Sequence, residues 1–164
     1  MTRPGDKLHD PAHIGTLERA LELAERAVER YYAISPREWE SRFRYDLVSS
    51  ALHPELPFHP GALAQIALVD RGTGDRPPRY RIVLKDEELL ALGDEVGDLQ
   101  TVLAATLAHE LVHLVRFASR RVPFDLAGPG ILDEERIVRR ITRESLEPVL
   151  PPGARRALER LTRG

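Results

Sequence analysis

Two histidines and a glutamate interrupt a stretch that is otherwise apolar. Between Thr101 and Val115 the ionisable side chains are His109, Glu110 and His113, and the remaining residues are Val, Leu, Ala and Thr. Burying such groups without partners is costly, so something must satisfy them. Their spacing suggests what. Positions i and i+4 share one helical face, so His109 and His113 can direct two imidazole nitrogens at one point about 2 Å away, the length of a zinc–nitrogen bond. Glu110 lies one step round the helix, where it can reach a water held at that point. Zinc makes such a water acidic near neutral pH, and a carboxylate beside it can take the proton during attack on a carbonyl. The competing reading is a pair of core histidines bonded to backbone or threonine. It leaves Glu110 in the same apolar turn without a role.

A third protein ligand must come from elsewhere. With no cysteine in the chain, it must be a histidine or a carboxylate. Metzincins carry Gly three residues and His six residues after the second His, but those positions are Arg116 and Ser119 here. The segment Asp133 to Thr142 offers acids instead. Ile137, Val138 and Ile141 mark its buried face, and Glu134 stands three, four and seven residues before them. Glu134 is therefore the preferred ligand. Glu135, turned towards the edge of that face with Val138 and Thr142, is the alternative. The acid that does not ligate is a first-turn residue favoured by the helix dipole. His53 and His59 lie in a proline-rich connection and read as solvated.

These groups need elements to hold them. Asp98 can cap a helix running to about 118 that is apolar on every side and hence buried all round. Asp10-Pro11 starts an amphipathic helix over about 11–33, with Ile14, Leu17, Leu21, Ala24, Val28 and Tyr31 on one face. Ser35-Pro36-Arg37-Glu38 has the form of a capping box, and Trp39, Phe43, Leu47 and Ala51 predict a second helix to about 51. Ala64 to Val69 and Tyr80 to Leu84 read as strands joined by the loop Arg71 to Pro78, paired antiparallel. Asp86 to Leu92 reads as a helical turn closed by Gly93. Pro123 to Gly130 is a loop, and helices follow over about Asp133–Glu147 and Ala154–Leu161. The fold class is α+β: a mostly helical domain with a small antiparallel sheet beside the helix of the two histidines.

At 164 residues the chain fits one domain, with 1–60 as an N-terminal helical part and 61–150 as the core around the motif. It is 42% apolar and 30% charged, a globular balance. A net charge of -2 argues against whole-protein attraction to nucleic acid. Residues 116–164 hold 11 Arg against 7 Asp or Glu, an excess that reads as solvated helix faces. Met1 to Lys7 carries no apolar signal segment, and Thr101 to Val115 is too short to span a bilayer. A cytoplasmic protein without a membrane partner is expected.

On the residues His109-Glu110-Leu111-Val112-His113 and a downstream acid, the chain resembles the gluzincins, zinc peptidases with a ligating Glu on a later helix. It is similar above all to the small minigluzincin and ImmA/IrrE-like metallopeptidases, over about residues 80 to 145. The resemblance implies Zn2+ held by His109, His113 and a Glu, with Glu110 as general base. It implies a peptide or protein substrate laid by main-chain pairing along the edge strand Tyr80, Arg81, Ile82, Val83 and Leu84. The chain departs from the pattern in two places. The Asp usual four residues after the ligating Glu is replaced by Val138 or Arg139, and the Gly usual before the second His by Val112. Tyr31, Tyr32, Tyr45, Tyr80 and Arg116 all remain open as the group that stabilises an oxyanion. The alternative is a non-catalytic zinc-binding or protein-interaction module on the same scaffold, with the helices of the first 52 residues serving a partner.

Overall fold

The apolar run around the motif becomes the central helix. A computed structural model describes residues 5–53, 58, 61–126 and 128–163; His59 lies outside them. Helix α4 spans Leu99–Ala118. It begins where Asp98 accepts hydrogen bonds from the Thr101 backbone N–H at 3.0 Å, one of the donors that the first turn leaves unpaired, and from the Thr101 hydroxyl at 2.6 Å. Val102, Leu103, Leu107, Leu111 and Leu114 have no solvent exposure. By length and composition α4 could cross a membrane, but most of it is buried inside this chain. Its apolarity is that of a core helix.

Five elements cover α4: α1 (Ile14–Tyr32), α3 (Asp86–Val96), α5 (Gly130–Leu146), α6 (Arg155–Leu161) and strand β2 (Ala64–Asp70). Helix α1 lays Leu17, Ala20, Ala24, Ala27 and Val28 inward, and the alanines on this stripe allow close approach. One apolar cluster runs from Leu8 to Leu158, so the first 60 residues share the core of the remainder.

The segment after α1 corrects an expectation. Only half of the capping box forms: the Ser35 N–H donates to the Glu38 carboxylate at 2.8 Å, but the Glu38 N–H bonds the Ser35 carbonyl, not its hydroxyl, and the helix that follows, α2, covers only Glu38–Ser41. Arg44–Ser49 is then strand β1. A spacing of four, as in Trp39, Phe43 and Leu47, suits a helical face and equally one face of a strand, because four is an even number of residues. Pairing decides between them. β1 lies parallel to β3 (Arg79–Leu84), with Leu47 opposite Ile82, and Asp46 receives a two-pronged bond from Arg81 at 2.6 and 3.1 Å.

β2 pairs antiparallel with β3, as expected, with Ile66 opposite Ile82. The strand order is β1-β3-β2, so the sheet is mixed, not purely antiparallel. β3 is its centre and buries Tyr80, Ile82, Val83 and Leu84. Both of its edges are already paired, so Tyr80 to Leu84 cannot be the edge strand. Among the described residues the edge strands are β1 and β2, and β2 is the one packed against α4.

Helix α3 passes Gly93 and closes at Gly97, which takes a left-handed φ of 79°. Gly93 serves the packing: a Cβ there would stand 2.7 Å from Leu99 Cδ1 and 3.1 Å from Leu99 Cβ. Asp86, at the start of α3, is buried and accepts from the Leu8 N–H at 2.8 Å and the Ser49 hydroxyl at 2.6 Å. It ties the N-terminal segment and the end of β1 to α3.

Candidate metal centre

His109 and His113 sit one turn apart on α4 with ring centroids 4.8 Å from each other. Both aim Nε2 at one carboxylate, that of Glu135 on α5. Glu135 Oε2 lies 3.2 Å from His109 Nε2, and Oε1 lies 3.0 Å from His113 Nε2. The three ligand atoms fall within 4.8 Å of one another. Two imidazole nitrogens and one carboxylate oxygen, with a cleft on the remaining side, are the donor set of a zinc site that keeps a position open. The residues therefore fit a metal ion.

The electrostatics agree with the geometry. Hydrogen bonds from His109 and then His113 hold the Glu135 carboxyl well below the usual carboxylate range, against the opposing effect of its burial. Burial pulls the His113 imidazole down, but its bond to Glu135 and the negative charges of Glu110, Glu135 and Glu134 prevail and raise it. His113 Nδ1 is buried without a hydrogen-bond partner among the described residues, so what engages this ring comes to Nε2. Glu110 is largely buried where it meets the cleft, and burial is the main cause of its raised pKa. His109 and His113 oppose the rise, and Glu135 adds to it. A carboxylate shifted towards neutrality is suited to accept a proton and return it.

Glu134, the preferred ligand from the sequence, is not at the histidines. It receives two parallel bonds from Arg116, Nε to Oε2 at 2.7 Å and Nη2 to Oε1 at 2.8 Å. The two side chains are only 13% and 8% exposed. Successive helical residues point about 100° apart, so one of the two acids meets the imidazoles and the other meets the cation three residues beyond His113. Apolar neighbours correctly marked Glu134 as buried. A buried carboxylate needs a cation, and they could not say which one.

The two histidines, Glu110 and Glu135 line a cleft of about 700 Å³. Gly61 to Ile66, leading into and including the start of β2, form one wall. Arg139, Thr142, Leu161 and Thr162 contribute from α5 and the C-terminal segment. Phe117 stacks on His113, with centroids 5.6 Å apart and planes 14° from parallel. The five residues left open as oxyanion stabilisers, Tyr31, Tyr32, Tyr45, Tyr80 and Arg116, are not among the cleft-lining residues, nor is His53. Tyr80 instead packs against Phe124, and Arg116 is committed to Glu134. Arg139 is a charged cleft residue to which the sequence assigned no role. Its position four residues after Glu135 was the available signal. Comparison with protein-family models, curated proteins and solved structures finds no match to this chain.

Proposed function

We propose that the chain is a zinc-dependent metallopeptidase, with His109, His113 and Glu135 holding the ion and Glu110 as general base. One observation carries the reading: two imidazole Nε2 atoms and a carboxylate from a separate helix converge at an open cleft, beside a buried carboxylate with a raised pKa. Zinc, when bound there, supplies Lewis acidity towards a water and a peptide carbonyl. Glu110 takes the proton released at the attacking oxygen and delivers it to the departing amine nitrogen. Glu135 and the two imidazoles enter with their coordinating atoms already aimed, which lowers the ordering cost of assembling the site.

The outer edge of β2, unpaired among the described residues, offers backbone donors and acceptors beside the cleft, and a peptide laid there can add a strand. This assigns to β2 the role that the resemblance to gluzincins gave to Tyr80 to Leu84. A non-catalytic closed site would be favoured by a second carboxylate among the ligands. Glu134 is bonded to Arg116 instead, and the cleft is open.

The test is metal analysis beside turnover on a mixture of unstructured peptides, read by mass spectrometry. The wild type should hold about one zinc and cleave. Glu110→Gln should keep the zinc and lose at least about 100-fold in rate. His109→Ala and Glu135→Gln should lose the metal. Unchanged turnover in Glu110→Gln, or full zinc occupancy in both ligand variants, would overturn the proposal.

A further inference from the structure

Arg139 sits one turn after Glu135 on the same face of α5, half-buried, and lines the cleft. A Glu followed four residues later by an Arg ordinarily forms an ion pair along the helix. That pair is not made here. Both Glu135 oxygens are turned to the imidazoles, at 3.2 and 3.0 Å, and Arg139 has no hydrogen bond or ion pair among the described residues. The threonine hydroxyls lining the cleft are turned to backbone carbonyls. Thr142 donates to the Val138 carbonyl and Thr162 to the Leu158 carbonyl, each at 2.7 Å. By contrast Arg136 and Arg140, on the wet face of α5, lie beside Asp133 and Glu144. The cleft therefore contains one guanidinium without an ion pair among the described residues, about a helical turn from the metal-site carboxylate.

We infer that Arg139 is a specificity-determining residue that binds a carboxylate of the substrate close to the cleaved bond. The planar guanidinium fork matches a carboxylate with two parallel bonds, and partial burial strengthens them relative to water. The substrate class is an acidic peptide. Its carboxylate comes from a Glu or Asp side chain near the scissile bond, or from the free C-terminus of a short peptide. The inference deepens the peptidase reading and rests on it for the chemistry, but the subsite itself is measurable by binding alone.

Three dye-labelled pools of octapeptides, random elsewhere, test it against zinc-loaded Glu110→Gln protein. One pool is blocked at both ends with glutamate at the doped positions. The second is blocked with glutamine there. The third has the glutamine sequence and a free C-terminal carboxylate. The glutamate pool or the free-acid pool should bind about tenfold more tightly than the blocked glutamine pool, the worth of one charge-assisted pair. Adding Arg139→Gln should abolish that preference while leaving the blocked glutamine pool within about twofold, and Arg139→Lys should restore part of it. Whichever acidic pool gains identifies the source of the carboxylate. Absence of any preference, or its survival in Arg139→Gln, overturns the subsite. An equal loss for all three pools does so too, because it marks a structural role. Turnover of the same pools by protein with Glu110 intact reads the peptidase proposal separately: preference without cleavage sinks the peptidase and keeps the subsite, and cleavage without preference does the reverse.

Discussion

Replacing Glu134 by glutamine should weaken the fold more than the metal site, although the residue is adjacent to a proposed ligand. Glu134 and Arg116 form a bidentate pair with side chains 8% and 13% exposed. Removing one member of a buried pair costs roughly 3–5 kcal/mol, because the other charge is left without its counter-ion. Glutamine can still accept one bond from the guanidinium, and such a bond is worth about 1.5–3 kcal/mol. A net loss of about 2 kcal/mol is expected, or a fall in Tm of roughly 4–8 °C for a chain of this size. Urea denaturation of the metal-free protein measures the loss directly. The double variant Arg116→Met with Glu134→Leu should recover most of it, since apolar residues of similar volume often replace such pairs without penalty. Zinc titration supplies the contrast. Glu134→Gln should hold zinc with an affinity reduced by about tenfold or less, because Glu134 bonds Arg116 and not a ligand, and so falls short of the roughly 10–100-fold lost when a group bonded to a ligand is removed. Glu135→Gln should lose most of its zinc affinity. If Glu134→Gln abolishes zinc binding while Glu135→Gln retains it, the assignment of the two acids is reversed. If Glu134→Gln costs under about 1 kcal/mol, the pair behaves as a surface ion pair and the burial argument fails.

Three further outcomes follow from the packing and the charges. Burial, then repulsion from Glu29, raises the Glu25 pKa in the fold, although a bond from Tyr45 opposes this. The folded state thus prefers protonated Glu25, and the penalty for ionisation grows as pH rises from the unfolded value of about 4.3 through the raised folded one; Glu25→Gln should gain stability over wild type at pH 7 and little at pH 4, and an equal gain at both, read as Tm differences, would contradict this. Gly93→Ala brings a Cβ to 2.7 Å from Leu99 Cδ1 and 3.1 Å from Leu99 Cβ; the packing penalty should outweigh the roughly 1 kcal/mol of helix propensity gained, for a net loss of about 1 kcal/mol in urea denaturation. Asp86→Ala leaves the Leu8 N–H and the Ser49 hydroxyl without their acceptor, and a loss of about 2–4 kcal/mol is expected, with hydrogen exchange at the Leu8 amide accelerating selectively.

Local geometry made much of the site readable from residue order. A histidine pair four residues apart shares a face in any α-helix, and the Asp98 cap with the apolar run after it leaves little else for residues 99–118 to become. The strands at Ala64–Asp70 and Arg79–Leu84 were visible for the same reason, since runs of apolar residues flanked by turn chemistry are a short-range signal. Three features needed the packed chain. Glu134 and Glu135 differ by one step of helical rotation, and only the seating of α5 against α4 settles which acid meets the imidazoles and which meets Arg116. The spacing of Trp39, Phe43 and Leu47 fits both periodicities, so pairing with β3 chose the strand and in doing so placed β3 at the centre of the sheet. Arg139 stands one turn after Glu135, where the two could pair, and it is left without an ion pair among the described residues while the histidines of another helix hold that carboxylate. Contacts within a turn depend on neighbours along the chain. Competition for one carboxylate depends on residues brought together from far apart, and no periodicity records it.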